Sequence, residues 1–432
     1  MHSSVPVVIG SGLTGLSVSH SLSRAGIEHV VIGRRPGTKP RLGESLNLEG
    51  TLFLKEMFPQ LSRFCFQKKE VRSYLGDYEV LCDFDVSKTL TSKVVYNILG
   101  HVPVDSFLQV DRVGFDAALW DLATSAPQCT VVESTVAGLD FDEESDTVTA
   151  VRLEDGTVLR PAYVFDASNH GRLLGTAMGQ KRRLLGEPQR VAYTHYHLPD
   201  GAPHLPEPWD PATVIVRLFP DTDGIDAIAW CIPLGRYVSV GISMAERESD
   251  LTERTLLKRA AVAFARYGVE FGSRYTKAVA PTGLKFSYFM YERGAGANWL
   301  LAGPSFCQVW WLAGAGVGTA LVAARLAPRL LSDPERWGRW YDAYMRQLVP
   351  IHDTFDYFAL TPRNAFEPEG LQRFSDQFVA TNLSRLASAA RLEQSPLAAL
   401  TSPLFSWVFS HPGSVRGYCP IRRLPAGRHE AN

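Results

Sequence analysis

Charge of one sign is missing from this 432-residue sequence, in which 44 basic residues stand against 45 acidic ones for a net charge of −1. No field of one sign surrounds such a chain, which argues against electrostatic binding to nucleic acid or to an anionic membrane. Also missing is any uninterrupted apolar run of the ~18 residues that a membrane helix needs. Residues 1–10 have no basic leader and pass straight into a strand-like run, so they do not read as a signal peptide. There are no internal repeats and no low-complexity stretches. The six cysteines, Cys65, Cys82, Cys129, Cys231, Cys307 and Cys419, lie far apart with no CxxC pair. Neither a disulfide framework nor a zinc site is expected from them, and a reducing compartment fits. The absences together lead to an expected cytoplasmic protein. What is present is an ordinary globular balance, 45% hydrophobic and 21% charged, which excludes a disordered chain. At ~150 residues per domain, the length suggests two or three domains or one large discontinuous one.

The N-terminus carries the most specific local signal. Pro6-Val7-Val8-Ile9 is an apolar run of the buried parallel-strand type, and it enters Gly10-Ser11-Gly12-Leu13-Thr14-Gly15. Helical spacing follows over residues 16–25, then Gly26, then a second apolar run at 29–32. Strand, GxGxxG, helix and strand within about thirty residues make a dinucleotide-binding βαβ unit. Glycines there let the backbone approach a pyrophosphate, and the helix N-terminus offers it unpaired N–H groups. Gly10, Gly12, Leu13, Thr14 and Gly15 are therefore candidate cofactor contacts. The acidic residue that should bind the ribose at the end of the second strand is absent, because Gly33 stands there, followed by Arg34 and Arg35.

Further on, residues 110–123 read as a helix, and 129–132, 148–153 and 158–164 as strands, with Asp155-Gly156 a hairpin turn. Residues 214–218, 225–232 and 237–243 read as an antiparallel meander, and 251–267 as an amphipathic helix. A buried strand at 299–302 precedes a glycine loop and a helix over 319–331. The rest is mostly helical, and the proline-rich segment 199–211 is the linker candidate. His195 and His197, two apart on a strand, share a face but lack a third ligand, so no metal site is expected.

Several of these segments, taken in order, resemble the FAD-binding scaffold of the aromatic hydroxylases and flavin-dependent halogenases. They are Gly43-Glu44-Ser45-Leu46, Gln109-Val110-Asp111-Arg112, Asp166-Ala167-Ser168 and the loop from Gly303 to Gly314-Ala315-Gly316-Val317-Gly318. The resemblance covers roughly residues 5–360. It implies an α/β fold: a Rossmann-like FAD-binding domain (1–190 and 290–333), an inserted antiparallel-sheet substrate domain (191–289) and a C-terminal helical region (334–432). By the same resemblance Arg34, Arg41, Ser45, Gln109 and Gly303 would contact FAD, Arg112 would neutralise pyrophosphate charge, and Gly316, Val317 and Gly318 would lie along the isoalloxazine ring.

Ile228-Ala229-Trp230-Cys231-Ile232-Pro233 is similar to the halogenase signature W-x-W-x-I-P with its first tryptophan replaced. Gln67-Lys68-Lys69 falls where such enzymes carry a catalytic lysine, assigned here to Lys69 in preference to Lys68. The resemblance thus implies reduced FAD, supplied by a separate flavin reductase or through NAD(P)H. It also implies chloride or bromide, and an electron-rich small molecule that is free or tethered to a carrier protein. Lys69 would hold hypohalous acid, and Trp230 would wall substrate from flavin. The same residues also read as a solvated lysine run and a buried aromatic. Pro304 replaces the family's acidic residue, and Trp310 and Trp311 occupy the halide stretch, so a monooxygenase or dehydrogenase without halide, or a non-redox protein on this scaffold, stands as the alternative.

Overall fold

The computed structural model describes residues 5–83, 106–197, 212–235, 237–246, 250–270, 276–277, 279–389 and 419–425. The proline-rich linker candidate, 199–211, lies wholly outside them. In chain order, β1 (Val7–Ile9), α1 (Leu13–Arg24) and β2 (His29–Ile32) are followed by α2 (Leu48–Met57), β3 (Cys65–Lys68), β4 (Glu70–Leu75), β5 (Tyr78–Asp83), β6 (Phe107–Val110) and α3 (Arg112–Thr124). Then come β7 (Cys129–Val132), β8 (Val136–Asp142), β9 (Thr147–Leu153), β10 (Val158–Leu159), β11 (Val164–Asp166), β12 (Arg182–Leu184) and β13 (Gln189–His197). The middle of the chain adds β14 (Ala212–Leu218), β15 (Ala227–Leu234), β16 (Tyr237–Ala245), α4 (Glu253–Ala265), β17 (Thr276–Lys277), β18 (Thr282–Phe286) and β19 (Phe289–Tyr291). Last are β20 (Trp299–Leu301), β21 (Cys307–Gln308), α5 (Ala315–Leu330), α6 (Pro334–Arg346), α7 (Leu348–Leu360), α8 (Pro368–Ala389) and β22 (Ile421–Arg423).

A parallel sheet in the order β20-β11-β1-β2-β7 forms the nucleotide module. Its central strands are buried along their whole length, as strands covered on both faces must be. The expected run at 158–164 is not one strand. β10 closes the Asp155-Gly156 hairpin with β9, whereas β11 joins the parallel sheet. Pro161 lies between them and offers no N–H to a continuing ladder. The helix expected from residue 110 starts at Arg112, because Val110 belongs to β6 and Asp111 caps the helix by accepting from Val113 N and Gly114 N. The mostly helical C-terminal part opens with two helices, α6 and α7, joined at Gln347.

The second module is a large sheet in the order β17-β13-β16-β15-β14-β4-β5-β22, with β18 also on β13. It is wider than the expected 191–289 segment. Residues 70–83 extend it through the parallel β14–β4 pair, and the C-terminal strand β22 pairs with β5 at its far side. One further expectation is corrected there. Cys82 and Cys419 form a disulfide with Cα atoms 4.5 Å apart across 337 residues of chain. The reason is the β5–β22 register, which lays one cysteine over the other.

Side chains alternate across the sheet. Ala229, Cys231, Val238 and Val240 pack with Leu256, Leu257 and Phe264 of α4 on one face. Val191, Tyr193, Trp230, Ile232 and Leu234 form the opposite face, against Leu42, Phe66 and Trp311. That second face is where the sheet meets the glycine turns of the nucleotide module.

Candidate functional site

The site begins at the turn after β1. Gly10 has φ +105, and a Cβ on it would sit 2.6 Å from the Ala167 carbonyl oxygen. A Cβ on Gly15 would sit 1.8 Å from the Gly10 carbonyl oxygen. Both glycines are therefore required by close packing of backbone on backbone. Gly12 differs. It caps α1 with extended backbone and no side-chain hydrogen bond, and nothing lies within 4 Å of where its Cβ would be. Open space against unpaired helix N–H groups is what a pyrophosphate fills. Leu13 and Thr14 are buried beneath it.

At the ribose end the structure supplies the reason for the missing carboxylate. A Cβ on Gly33 would meet Ser11 Oγ at 2.5 Å, and Ser11 Oγ donates to the Arg34 carbonyl at 2.6 Å. Ser11 thus occupies the room an acidic side chain would need. The Arg34 side chain is exposed. Arg35 is turned away into a two-pronged pair with Asp121 at 2.6 and 2.8 Å.

The second glycine turn repeats the first. Gly314, at φ +59, would push a Cβ to 3.0 Å from the Ser45 carbonyl oxygen, and Gly318 would push one to 2.7 Å from Glu49 Oε1. Between them Gly316 is exposed, its nearest would-be contact being Pro304 Cγ at 3.9 Å, and Val317 is buried. Gly303, at φ +55, is held by its N–H donating to Tyr341 Oη at 2.7 Å, while that hydroxyl donates to the Leu301 carbonyl at 2.9 Å.

Between the turns lies the loop 41–46. Arg112 is buried and paired with Asp116 at 2.8 and 2.9 Å, and its Nη1 donates to the Leu42 carbonyl at 2.8 Å. Arg41 reaches the same carboxylate at 3.5 Å. The Arg112 charge is thus met by Asp116, and its guanidinium orders the loop. Ser45 Oγ lies 2.9 Å from Thr213 Oγ1, which also accepts from Gln109 Nε2 at 3.0 Å. Tyr193 donates to the Pro40 carbonyl at 3.0 Å. Glu44 meets His195 Nε2 at 2.5 Å, both side chains being buried. Thr213 and Tyr193 escaped the sequence reading, since neither stands in a motif, and Ser11 escaped it as a variable position of the GxGxxG.

The lysine that reaches this loop is Lys68. In β3 Gln67 is exposed and Lys68 buried, and Lys69, just past the end of the strand, is exposed. Spacing alone favours Lys69, whereas the side chain aimed into the loop is that of Lys68. Lys68 Nζ donates to Ser45 Oγ at 3.1 Å and to the Leu46 carbonyl, and lies 5.3 Å over the Phe107 ring. Burial pulls its amine down to about 7.

Trp230 lies flat across the neighbouring strand. Its register partner is Gly241, where a Cβ would come within 2.1 Å of the indole. Its ring centroid is 4.7 Å from that of Trp311, just before the second glycine turn. The Trp311 indole N–H is buried without a partner among the described residues. Trp310 turns the other way, donating its indole N–H to Asp356 at 2.7 Å and its backbone N–H to His352 at 3.2 Å. Only Trp311 therefore faces the sheet. Among the described residues no group of three or more His, Cys, Asp or Glu is placed to hold a metal, and no helix is long and apolar enough to cross a membrane.

Residues 3–46 match the family model of an FAD binding domain. An FAD-dependent monooxygenase of Aspergillus fumigatus, spyC, is 25% identical over 170 residues, which are 39% of this chain and 34% of that protein. The chain thus aligns with about a third of that relative's length. Among solved structures, halogenase PltM superposes with a TM-score of 0.70 at 13% identity, covering 94% of this chain and 90% of that one. The flavin-dependent brominase Bmp2 gives 0.66 at 15% identity over 95% and 100%. BrvH, a flavin-dependent halogenase from Brevundimonas sp., gives 0.61 at 13% over 94% and 96%.

Proposed function

With an FAD binding domain at its N-terminus and the fold of the flavin-dependent halogenases, this chain is, we propose, an FAD-dependent oxidoreductase that halogenates an electron-rich aromatic small molecule. Bound reduced FAD would supply the electrons that activate O2. Gly10, Gly12, Leu13, Thr14 and Gly15 would take the pyrophosphate. Gly316, Val317 and Gly318 would lie along the ring, and Arg112, Ser45 and Gln109 would fix the loop between. Open space at Gly12 and at Gly316, against glycines pinned on either side, supports this placement.

The observation that carries halogenation is Lys68, a buried amine at the flavin-side loop with its proton affinity brought down to about 7. Protonated, such an amine donates to the oxygen of a hypohalous acid and leaves the halogen as the electrophilic end. The aromatic carbon gains the halogen and loses its proton, and the released hydroxide takes that proton as water. The Trp230–Trp311 contact forms an apolar wall at the second glycine turn, and the unpartnered Trp311 N–H is a donor that a halide can take.

The assay supplies FAD, a flavin reductase, NADH and chloride or bromide to a panel of phenols, indoles and pyrroles, free or carrier-bound. Halogenated product from the parent and from Lys69→Ala, but not from Lys68→Ala, is the expected result. A second reading, oxygenation without halide, is favoured by Trp311 standing where the family places halide. Hydroxylated product, equal in all three proteins and indifferent to halide, would establish it.

A further inference from the structure

Helix α8 has no part in the chemistry above, yet two of its side chains, three residues apart, converge on the start of α2. Asn382 Oδ1 accepts from Asn47 Nδ2 at 3.5 Å. Arg385 Nη2 lies 3.1 Å from Glu49 Oε2 and donates to Oε1 at 3.3 Å. Both side chains of this ion pair are almost wholly buried, at 1% and 2% exposure. Such a pair loses so much hydration that it gives little net stability, and its best-attested use is to fix one arrangement over others.

The surroundings say which arrangement. Arg385 is immobilised from behind, with Nη1 on the Tyr344 carbonyl at 3.1 Å and its guanidinium 4.3 Å over the Tyr344 ring. Tyr344 in turn stacks on Trp340 at 5.1 Å. Glu49 faces forward onto the second glycine turn, where a Cβ on Gly318 would sit 2.7 Å from its Oε1. The helices touch at the same place, a Cβ on Gly50 falling 3.3 Å from Gly318 N. A line of contact therefore runs from α8 through Arg385 and Glu49 to Gly318.

We propose that Arg385 is a positioning residue for the flavin, fixing through Glu49 the turn Gly316-Val317-Gly318 along which the isoalloxazine ring lies. The inference rests on the FAD reading above. An uncharged pair of similar volume would fill the space without a charge-assisted bond to hold the residue 49 side chain in one direction against the turn.

The test uses the full chain as parent, Arg385→Met and the double variant Glu49→Gln/Arg385→Met. It measures FAD binding by quenching of flavin fluorescence, and thermal unfolding without FAD. Arg385→Met strands a buried carboxylate and should unfold at a lower temperature. The double variant has no stranded charge and should regain the parent's unfolding temperature. It should still bind FAD about tenfold more weakly. Parental FAD affinity in the double variant would overturn the proposal and leave the pair a structural contact. If Arg385→Met does not fold, the double variant carries the test alone. Failure of the FAD reading looks different: neither parent nor variant then perturbs the flavin signal, and both claims fall.

Discussion

The two glycine turns solve one problem with different supports. Each feeds the N-terminus of a helix, and in each the outer glycines are pinned while the middle one stands open, Gly12 in the first and Gly316 in the second. The first turn is braced by backbone close at hand, the carbonyls of Gly10 and Ala167. The second leans on α2, and α2 leans on Arg385, 336 residues further along the chain. A turn braced locally can be read from a short window of sequence. A turn braced from the far end of the chain has to be seen in the fold.

The largest effect should come from filling the first turn. Gly12→Val places two methyl groups in the open space while leaving the packed glycines alone. Loss of the helix N–H contacts to pyrophosphate should weaken FAD binding roughly 100-fold, the value of one or two charge-assisted hydrogen bonds. Calorimetry checks this, with circular dichroism to confirm folding. Gly316→Val tests the second turn and should cost about tenfold in affinity, because contacts to a flat ring are mostly apolar and lost only in part. It should also shift the bound flavin's absorption, which Gly12→Val should not do in whatever fraction still binds. If the two variants exchange these signatures, the turns have been assigned to the wrong ends of the cofactor.

This contrast also sorts what was legible in the sequence. β1, α1 and β2 follow from an apolar run, a GxGxxG and a second apolar run, each decided by neighbours. The Asp155-Gly156 hairpin and the β14–β15–β16 meander are local in the same sense. The disulfide between Cys82 and Cys419 was invisible, because it depends on β22 reaching β5 across the length of the chain. Which of Lys68 and Lys69 turns inward was hidden for another reason. Spacing locates a strand, but a one-residue shift in its phase exchanges inside for outside, and only the pairing of β3 with β6 fixes that phase. Trp230 is singled out by its motif, but its neighbour Gly241, which gives the indole room, carries no signal of its own.

Lys68 gives a pH test. Its amine is lowered to about 7 by burial, so the protonated form dominates below that value and is lost above it. If the protonated amine holds the oxidant, halogenation at saturating substrate should fall about tenfold between roughly pH 6 and pH 8. Product profiles at fixed reduced-FAD supply check this. A rate that rises over the same range would mean the neutral amine is the working form.

The smallest effect sharpens the ribose end. Gly33→Asp alone should weaken FAD binding, because the new side chain meets Ser11 Oγ. Combined with Ser11→Gly, the same carboxylate loses both side-chain clashes, leaving the backbone N of residue 11 at 3.0 Å to give by a few tenths of an ångström, and should tighten binding about fivefold, the value of one net hydrogen bond. The order of the three affinities, with the double variant first, the parent next and the single variant last, is the outcome to look for in a competition titration.

The most direct measurement is a crystal structure of the full chain with FAD bound. It should show the pyrophosphate against the backbone N–H groups of Gly12, Leu13 and Thr14, and the isoalloxazine ring along Gly316, Val317 and Gly318. FAD bound elsewhere, or lying with its ring at the first turn and its phosphates at the second, would contradict the account.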